Sequence, residues 1–387
     1  MFLQNLEFWE FVSNVYNTTL SLFFFILALV FFYIATKGMR ARNKYGAIST
    51  AVCGGAFIVF GYYNSVFSFF PFPYDGFMVW WIGFNLALNL IFAYAVRRDI
   101  RLMRDEGVPL SKNRTRLINY ILRMTRTDPY SKEISLRMEI IRKSFHISGL
   151  LVLIAYYGLF FIPPVTQLIN DGLLIALPNI ESSYNALWGP LSLYPWPTFG
   201  SHQAVVGLTM MALIGSLVFA ITSDILRILW GPEYSIFNFI THSMIRPKEI
   251  NAAGPQIYIM VGFIFSYMLC IPPLGFIDIR AYFAGILIAT LSDAAAALIG
   301  RGLGKHKVKC PNSIEKTKTV EGFVAGAVIA YIIGLIFVGP IYAIIGAVIF
   351  FITDYFPTYT ADNILNPVFI PIGIQIFIYI LGLPIGW

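Results

Sequence analysis

Ten apolar runs follow one another along this chain, near residues 20–36, 46–70, 77–96, 146–162, 202–222, 256–277, 281–300, 322–338, 341–353 and 367–384. Most approach the roughly 20 residues that cross a bilayer as a helix. In hydrocarbon a backbone must satisfy its own polar groups, so runs of this length fold as helices. The expected class is therefore all-α, a polytopic transmembrane helical bundle of about ten spans. With 58% hydrophobic and only 12% charged residues in 387, a water-soluble globule is excluded. The ninth run is short enough to be re-entrant.

Charge orients the bundle, because cytoplasmic loops carry the excess of Lys and Arg. With ten spans and the N-terminus outside, Lys37, Arg40, Arg42 and Lys44 lie inside, as do the thirteen basic residues of 97–143. Arg227, Arg246, Lys248 and the six basic residues of 301–318 join them, and of 27 only Arg280 falls outside. The loop 163–201, with six prolines and no Lys or Arg, then lies on the outer face, where Tyr184, Trp188, Tyr194 and Trp196 sit at headgroup level. The polar chemistry is thereby expected to face the cytoplasm, in a multi-pass protein of the cell membrane if the source is prokaryotic. The N-terminus lacks a basic leader, so the first span is expected to be retained. Cys53, Cys270 and Cys310 have no metal-ligand spacing.

Three regions follow from this pattern: an N-terminal three-span extension (1–96), a basic loop (97–143) and a membrane domain (144–387). The loop's 13 basic and 6 acidic residues give it +7, equal to the net charge of the whole chain. It reads as a solvated connector with some attraction to anionic lipid.

Asp293 is the carboxylate of the run that ends at Gly300, about 10 Å from the helix end at 1.5 Å per residue. An ionisable group inside a span costs roughly 2.5–3.5 kcal/mol on insertion scales and marks a functional site by default. It could hold Mg²⁺, which takes one or two carboxylates with phosphate oxygens and water. The alternative is burial as a neutral acid or pairing with a neighbour such as Arg301. Next comes Gly300-Arg-Gly-Leu-Gly-Lys305, whose glycines bare backbone amides to a phosphate while Lys305, Lys307 and Lys309 supply charge. It is not a Walker A loop, and glycine at a helix end is equally ordinary capping chemistry. Lys318-Thr-Val-Glu-Gly322 immediately precedes an apolar helix, whose N-terminus attracts phosphate. Thr319 is a natural N-cap, which puts Glu321 at N2 rather than the N3 position of a capping box and leaves it for metal binding or the helix dipole.

Other charged blocks lie at span ends. Asp224 and Arg227, spaced i,i+3, suit mutual pairing. Ile245-Arg246-Pro-Lys-Glu249 reads as a charged turn, and Asp354 with Asp362-Asn363 as a polar turn ahead of Pro367. Arg142-Lys143-Ser-Phe-His146 opens the fourth span, and basic residues beside a histidine bind phosphate or assist proton transfer.

In combination these blocks resemble the membrane-bound polyprenol kinase family, which includes dolichol kinase and phytol kinase. Arg142-Lys143-x-x-His146 resembles its Arg-Lys-x-x-His block, and Ser223-Asp-Ile-Leu-Arg227 with Ile245-Arg-Pro-Lys-Glu249 its middle region. Asp293-Ala-Ala-Ala-Ala-Leu-Ile-Gly300 with Gly304-Lys305, then Lys318-Thr-x-Glu-Gly322, resembles its Asp-x-x-Ala-x-x-x-Gly-x-x-x-Gly-Lys and Lys-(Ser/Thr)-x-Glu-Gly pair. Asp362-Asn363 before Pro367 resembles the last block, and Asp354 departs from the Glu that related sequences often carry. The likeness covers roughly residues 140–370.

The resemblance implies transfer of a phosphoryl group from CTP to the terminal hydroxyl of a long isoprenoid alcohol, dolichol or polyprenol, phytol or geranylgeraniol, with Mg²⁺ as cofactor. It implies Asp293, Asp362 and Asn363 at the metal, and Gly300, Gly304, Lys305, Lys318, Thr319 and Gly322 at the triphosphate. Lys143, Arg227 and Arg246 would serve phosphate or acceptor. The catalytic candidates are Asp293, His146, Glu249 and Glu321, with Glu249 or Glu321 as the base. The expected partners are the alcohol, the nucleoside triphosphate and the lipid bilayer, with no nucleic acid. A CTP-dependent lipid-phosphate cytidylyltransferase is the nearest rival, but that family's His-Gly-Gly and Asp-Arg-x-x-Asp pattern is missing. A transporter would explain ten spans and carboxylates at Asp224 and Asp293, but not the Gly/Lys loop beside them.

Overall fold

The computed structural model describes residues 2–68, 74–105, 202–236, 251–271, 274–309, 317–356 and 359–386, with isolated positions between 117 and 183 that include Lys143. These residues form α1 (Phe2–Arg40), α2 (Lys44–Phe67), α3 (Tyr74–Asp105), α4 (His202–Leu229), α5 (Pro255–Met268), α6 (Ile279–Leu287) and α7 (Asp293–Gly302). They continue with α8 (Val320–Val338), α9 (Pro340–Tyr355) and α10 (Asp362–Leu381). A π turn, Ile288–Ser292, joins α6 to α7. The fold is a helical bundle, and its one departure from all-α among the described residues is a short antiparallel ribbon. There β1 (Lys307–Lys309) pairs with β2 (Thr317–Thr319), with Val308 opposite Lys318.

Seven described helical stretches are long and apolar enough to cross a membrane: Glu10–Arg40, Lys44–Phe67, Tyr74–Leu102, Thr209–Leu229, Ile279–Gly302, Val320–Val338 and Asp362–Leu381. They match seven of the ten apolar runs, while the run at 146–162 lies outside the described residues. The other two form α5 and α9, of 14 and 16 residues. At 1.5 Å per residue these reach about 21 and 24 Å, short of the roughly 30 Å hydrocarbon core. The sixth run, read as continuing to 277, stops as a helix at Met268, ahead of Pro272 and Pro273, which have no amide proton to extend it.

Lipid is the natural solvent of the outer faces. On α8, Val324, Val328, Ile332 and Ile336 are exposed at four-residue spacing, and on α9 Ile341, Ile344, Val348 and Ile352 form a second stripe. Apolar stripes of this length in water would drive aggregation.

Inside, one contiguous core runs from Leu20 on α1 to Ile374 on α10. The α1–α2 hairpin is closed by Asn64, whose Nδ2 donates to the Asn17 carbonyl at 3.1 Å and to Ser21 Oγ at 2.8 Å. α2 then supports the C-terminal half: Thr50 Oγ1 accepts from the Ala253 amide at 3.1 Å, and Ser49 Oγ from the Ala361 amide at 2.9 Å. Residues 1–96 thus share the core of the remainder, and the division at 96/97 falls inside α3. α3 and α4 run parallel, because Trp81 Nε1 donates to the Gly215 carbonyl at 2.9 Å and Asn89 Nδ2 to Thr222 Oγ1 at 3.3 Å.

α10 carries Pro367 and Pro371 in its interior. Pro371 cannot donate to the carbonyl of Pro367, and Ser266 Oγ on α5 does so instead at 2.5 Å. The Pro371 ring packs on Gly285 of α6, where a side chain would have no room. This contact draws the π turn toward the start of α10 and so sets the site described next.

Candidate functional site

The π turn is the local irregularity from which the site is built. Such turns insert a residue into a helix and recur at functional sites. Here the turn is followed at once by Asp293, the intramembrane carboxylate singled out in the sequence. Its partner is Lys143 rather than Arg301: the Lys143 ammonium donates to Asp293 Oδ2, with the lysine side chain 3% exposed and the carboxylate 15%.

A second pair, of a half-buried lysine and a buried carboxylate, lies beside the first. Lys318, at the centre of β2, donates to Asp354 Oδ1 at 2.6 Å and to the Asp354 carbonyl at 2.7 Å. Asp354 sits near the end of α9, 6% exposed, within the helix and not in a turn. Burial by itself lowers the pKa of Lys318, but the charge and hydrogen bond of Asp354, with Asp362 and Asp293 beyond it, hold the pKa above the ordinary lysine value. The raised value of Lys318 therefore contributes stability that is present below the ordinary lysine value, as long as Asp354 is ionised, and is lost as pH rises through the raised one. Asp362 opens α10, its Oδ1 accepting from the Asn363 amide at 2.9 Å. Lys143, Asp293, Lys318, Asp354 and Asp362 thus gather from five separated segments, three carboxylates and two ammonium groups among the described residues.

The glycines of the two adjoining motifs serve a close helix crossing. A Cβ on Gly322 would lie 2.7 Å from the Ala296 carbonyl oxygen and 3.2 Å from Gly300 Cα, and one on Gly300 would lie 2.8 Å from Thr319 Oγ1. One on Gly326 would lie 3.1 Å from Ala296 Cβ. Ala296 and Gly300 on α7, with Gly322 and Gly326 on α8, are spaced four residues apart, the spacing by which helices approach closely in membranes, and Gly304, in the loop after α7, packs against Thr319. Thr319 caps α8, its Oγ1 accepting from the Gly322 amide at 3.2 Å. Glu321, at N2, accepts from the His306 amide at 3.2 Å and meets His306 Nδ1 at 2.7 Å. It ties the loop after α7 to the start of α8, and Lys305 stays exposed on that loop.

Arg227 is buried at the end of α4. It grips Asp224 at 2.5 and 3.1 Å and donates to the Ala252 carbonyl at 2.8 Å, while Asp224 accepts from the Gly254 amide at 2.8 Å. This clamp fixes the backbone that leads into α5. His146, Arg246 and Glu249 lie outside the described residues.

Among the described residues no three His, Cys, Asp or Glu side chains gather as a ready ligand set. The donor chemistry of Asp293, Asp354 and Asp362, hard carboxylate oxygens at one end of the bundle, fits Mg²⁺, for which one or two carboxylates suffice when a phosphate supplies the rest. Asp354, read from the sequence as part of a polar turn with no site role, lies in α9 and pairs with Lys318. Ser292 Oγ and Asn366 Oδ1, both buried without a hydrogen-bond partner, carry no signal in the sequence. No family model matches the chain, and neither does a curated protein or a solved structure.

Proposed function

We propose that this protein is a membrane-embedded kinase that transfers the γ-phosphoryl group of CTP to the hydroxyl of a long-chain isoprenoid alcohol, with Mg²⁺, at the cytoplasmic face. The observation that carries the reading is the gathering of Lys143, Asp293, Lys318, Asp354 and Asp362 at one end of the bundle. Four of the blocks behind the resemblance to polyprenol kinases supply Lys143, Asp293, Lys318 and Asp362, and the end of α9 adds Asp354. Phosphoryl transfer asks mainly for positioning and charge stabilisation, which buried lysines and carboxylates provide.

Asp293 and Asp362 would hold Mg²⁺, which when bound supplies charge neutralisation on the triphosphate. Lys143 and Lys318 keep positive charge in a water-poor site, where it acts more strongly on phosphate oxygens than it would in bulk solvent. The alcohol oxygen forms a bond to the γ-phosphorus, the bond from that phosphorus to the β,γ-bridging oxygen breaks, CDP leaves and the hydroxyl proton passes to a carboxylate. In this reading the N-terminus lies outside and ten spans cross the membrane. The parallel run of α3 and α4 fits the single crossing that this topology places between them.

The product test uses purified protein, Mg²⁺, geranylgeraniol and CTP labelled at either the γ or the α phosphorus. Label is expected in the organic phase from the γ position alone, with CDP released. Entry of α label into a phosphorylated lipid, with release of pyrophosphate, would assign the cytidylyltransferase reaction. Absence of transfer from any nucleoside triphosphate would leave the transporter.

A further inference from the structure

Two polar side chains are sealed without partners just inside the carboxylates, toward the middle of the bundle. Ser292 ends the π turn beside Asp293, and Asn366 lies one turn into α10 from Asp362. They are 0% and 3% exposed, and neither Ser292 Oγ nor Asn366 Oδ1 makes a hydrogen bond. Of the other buried hydroxyls, Thr222 and Thr290 donate to a carbonyl one turn back, while Tyr74 and Thr209, away from these carboxylates, are also unpartnered. An unsatisfied buried polar atom costs about 1–3 kcal/mol in a protein interior. Two of them at one level of the bundle point to a ligand that completes both.

Their proximity follows from the helix register. α6 and α10 run antiparallel: Gln375 Oε1 accepts from the Asp278 amide at 2.7 Å, and Gly285 packs on Pro371. Continued inward, the same pairing brings Ser292 to the level of Asn366. Asp362 and Asn366, spaced i,i+4, share a face of α10.

The chemistry of the two atoms selects the ligand. Asn366 Oδ1 only accepts, so beside Asp293 and Asp362 it repels a phosphate or carboxylate. The Ser292 hydroxyl both donates and accepts. A primary alcohol satisfies both, accepting from Ser292 and donating to Asn366. We propose that Ser292 and Asn366 seat the hydroxyl of the lipid alcohol, an inference that rests on the kinase reading. The seat lies on the hydrocarbon side of the carboxylates, so alcohol enters from the bilayer and triphosphate from water.

The test compares geranylgeraniol with the same chain lacking the hydroxyl, as the shift each gives in the thermal unfolding of detergent-solubilised protein without nucleotide. Wild type is expected to be stabilised by the alcohol and not by the hydrocarbon. Ser292→Ala and Asn366→Leu are expected to lose that shift and to raise the KM for alcohol about tenfold, equivalent to about 1.4 kcal/mol, with unchanged CTP affinity. Ser292→Ala removes no hydrogen bond of its side-chain oxygen and relieves an unsatisfied one, so its unliganded stability is expected to equal or exceed that of wild type. Equal stabilisation by the hydrocarbon, or an unchanged KM for alcohol in both variants that still transfer phosphate, overturns the seat and leaves the kinase. Loss of CTP affinity in place of the alcohol shift also overturns it. Hydroxyl-dependent stabilisation that both variants lose, with no phosphoryl transfer by wild type, overturns the kinase and leaves the seat.

Discussion

Asp293→Asn is expected to reduce phosphoryl transfer by on the order of 100-fold or more while leaving the bundle folded, the scale seen when one electrostatic stabiliser of a transition state is removed. The amide keeps the shape of the side chain and an oxygen that still accepts from Lys143, so packing around the π turn is retained. What disappears is the negative charge, which both attracts Mg²⁺ and balances a lysine that is 3% exposed. Size-exclusion profiles of the solubilised variant should match wild type, with a lower thermal stability because Lys143 loses its counter-charge. Activity near wild type at saturating Mg²⁺ would make Asp293 a structural partner of Lys143 and nothing more.

Lys318→Met is expected to lower both stability and nucleotide affinity, and a second substitution separates the two effects. Removing the ammonium leaves the Asp354 carboxylate buried without its cation, and breaking a buried pair in this way costs about 3–5 kcal/mol. Lys318→Met with Asp354→Asn removes both charges and is expected to recover most of the lost thermal stability. Nucleotide affinity should stay about 10- to 100-fold weaker in the double variant, because a hydrogen bond to a charged group is worth about 1.5–3 kcal/mol. Recovery of affinity together with stability would confine Lys318 to holding β2 against α9.

The helices were the most legible part of the chain, since seven long apolar runs became seven long apolar helices. The ribbon was not, because three-residue strands such as Lys307–Lys309 and Thr317–Thr319 are too short for any periodicity to register. Asp293 was legible as a lone carboxylate in hydrocarbon, but its pairing with a lysine 150 residues away is a fact of tertiary structure. Gly300, Gly304 and Gly322 raised a real ambiguity: small residues every four positions look the same whether they bare amides to phosphate or let two helices touch. The crossing of α7 and α8 uses Gly300 and Gly322 for contact, and Gly304 meets Thr319 in the loop beyond α7. Glu321 at N2 was correctly placed by assigning Thr319 as the cap, yet its bond to His306 depended on where the preceding loop returned.

The most direct measurement is the equilibrium binding of CTP to the purified, detergent-solubilised protein with and without Mg²⁺, for wild type and Asp293→Asn. A nucleotide site built on these buried lysines and aspartates predicts saturable, single-site binding that strengthens with Mg²⁺ in wild type and loses that dependence in Asp293→Asn. No saturable binding by folded wild type, or binding indifferent both to Mg²⁺ and to the charge at position 293, would contradict it.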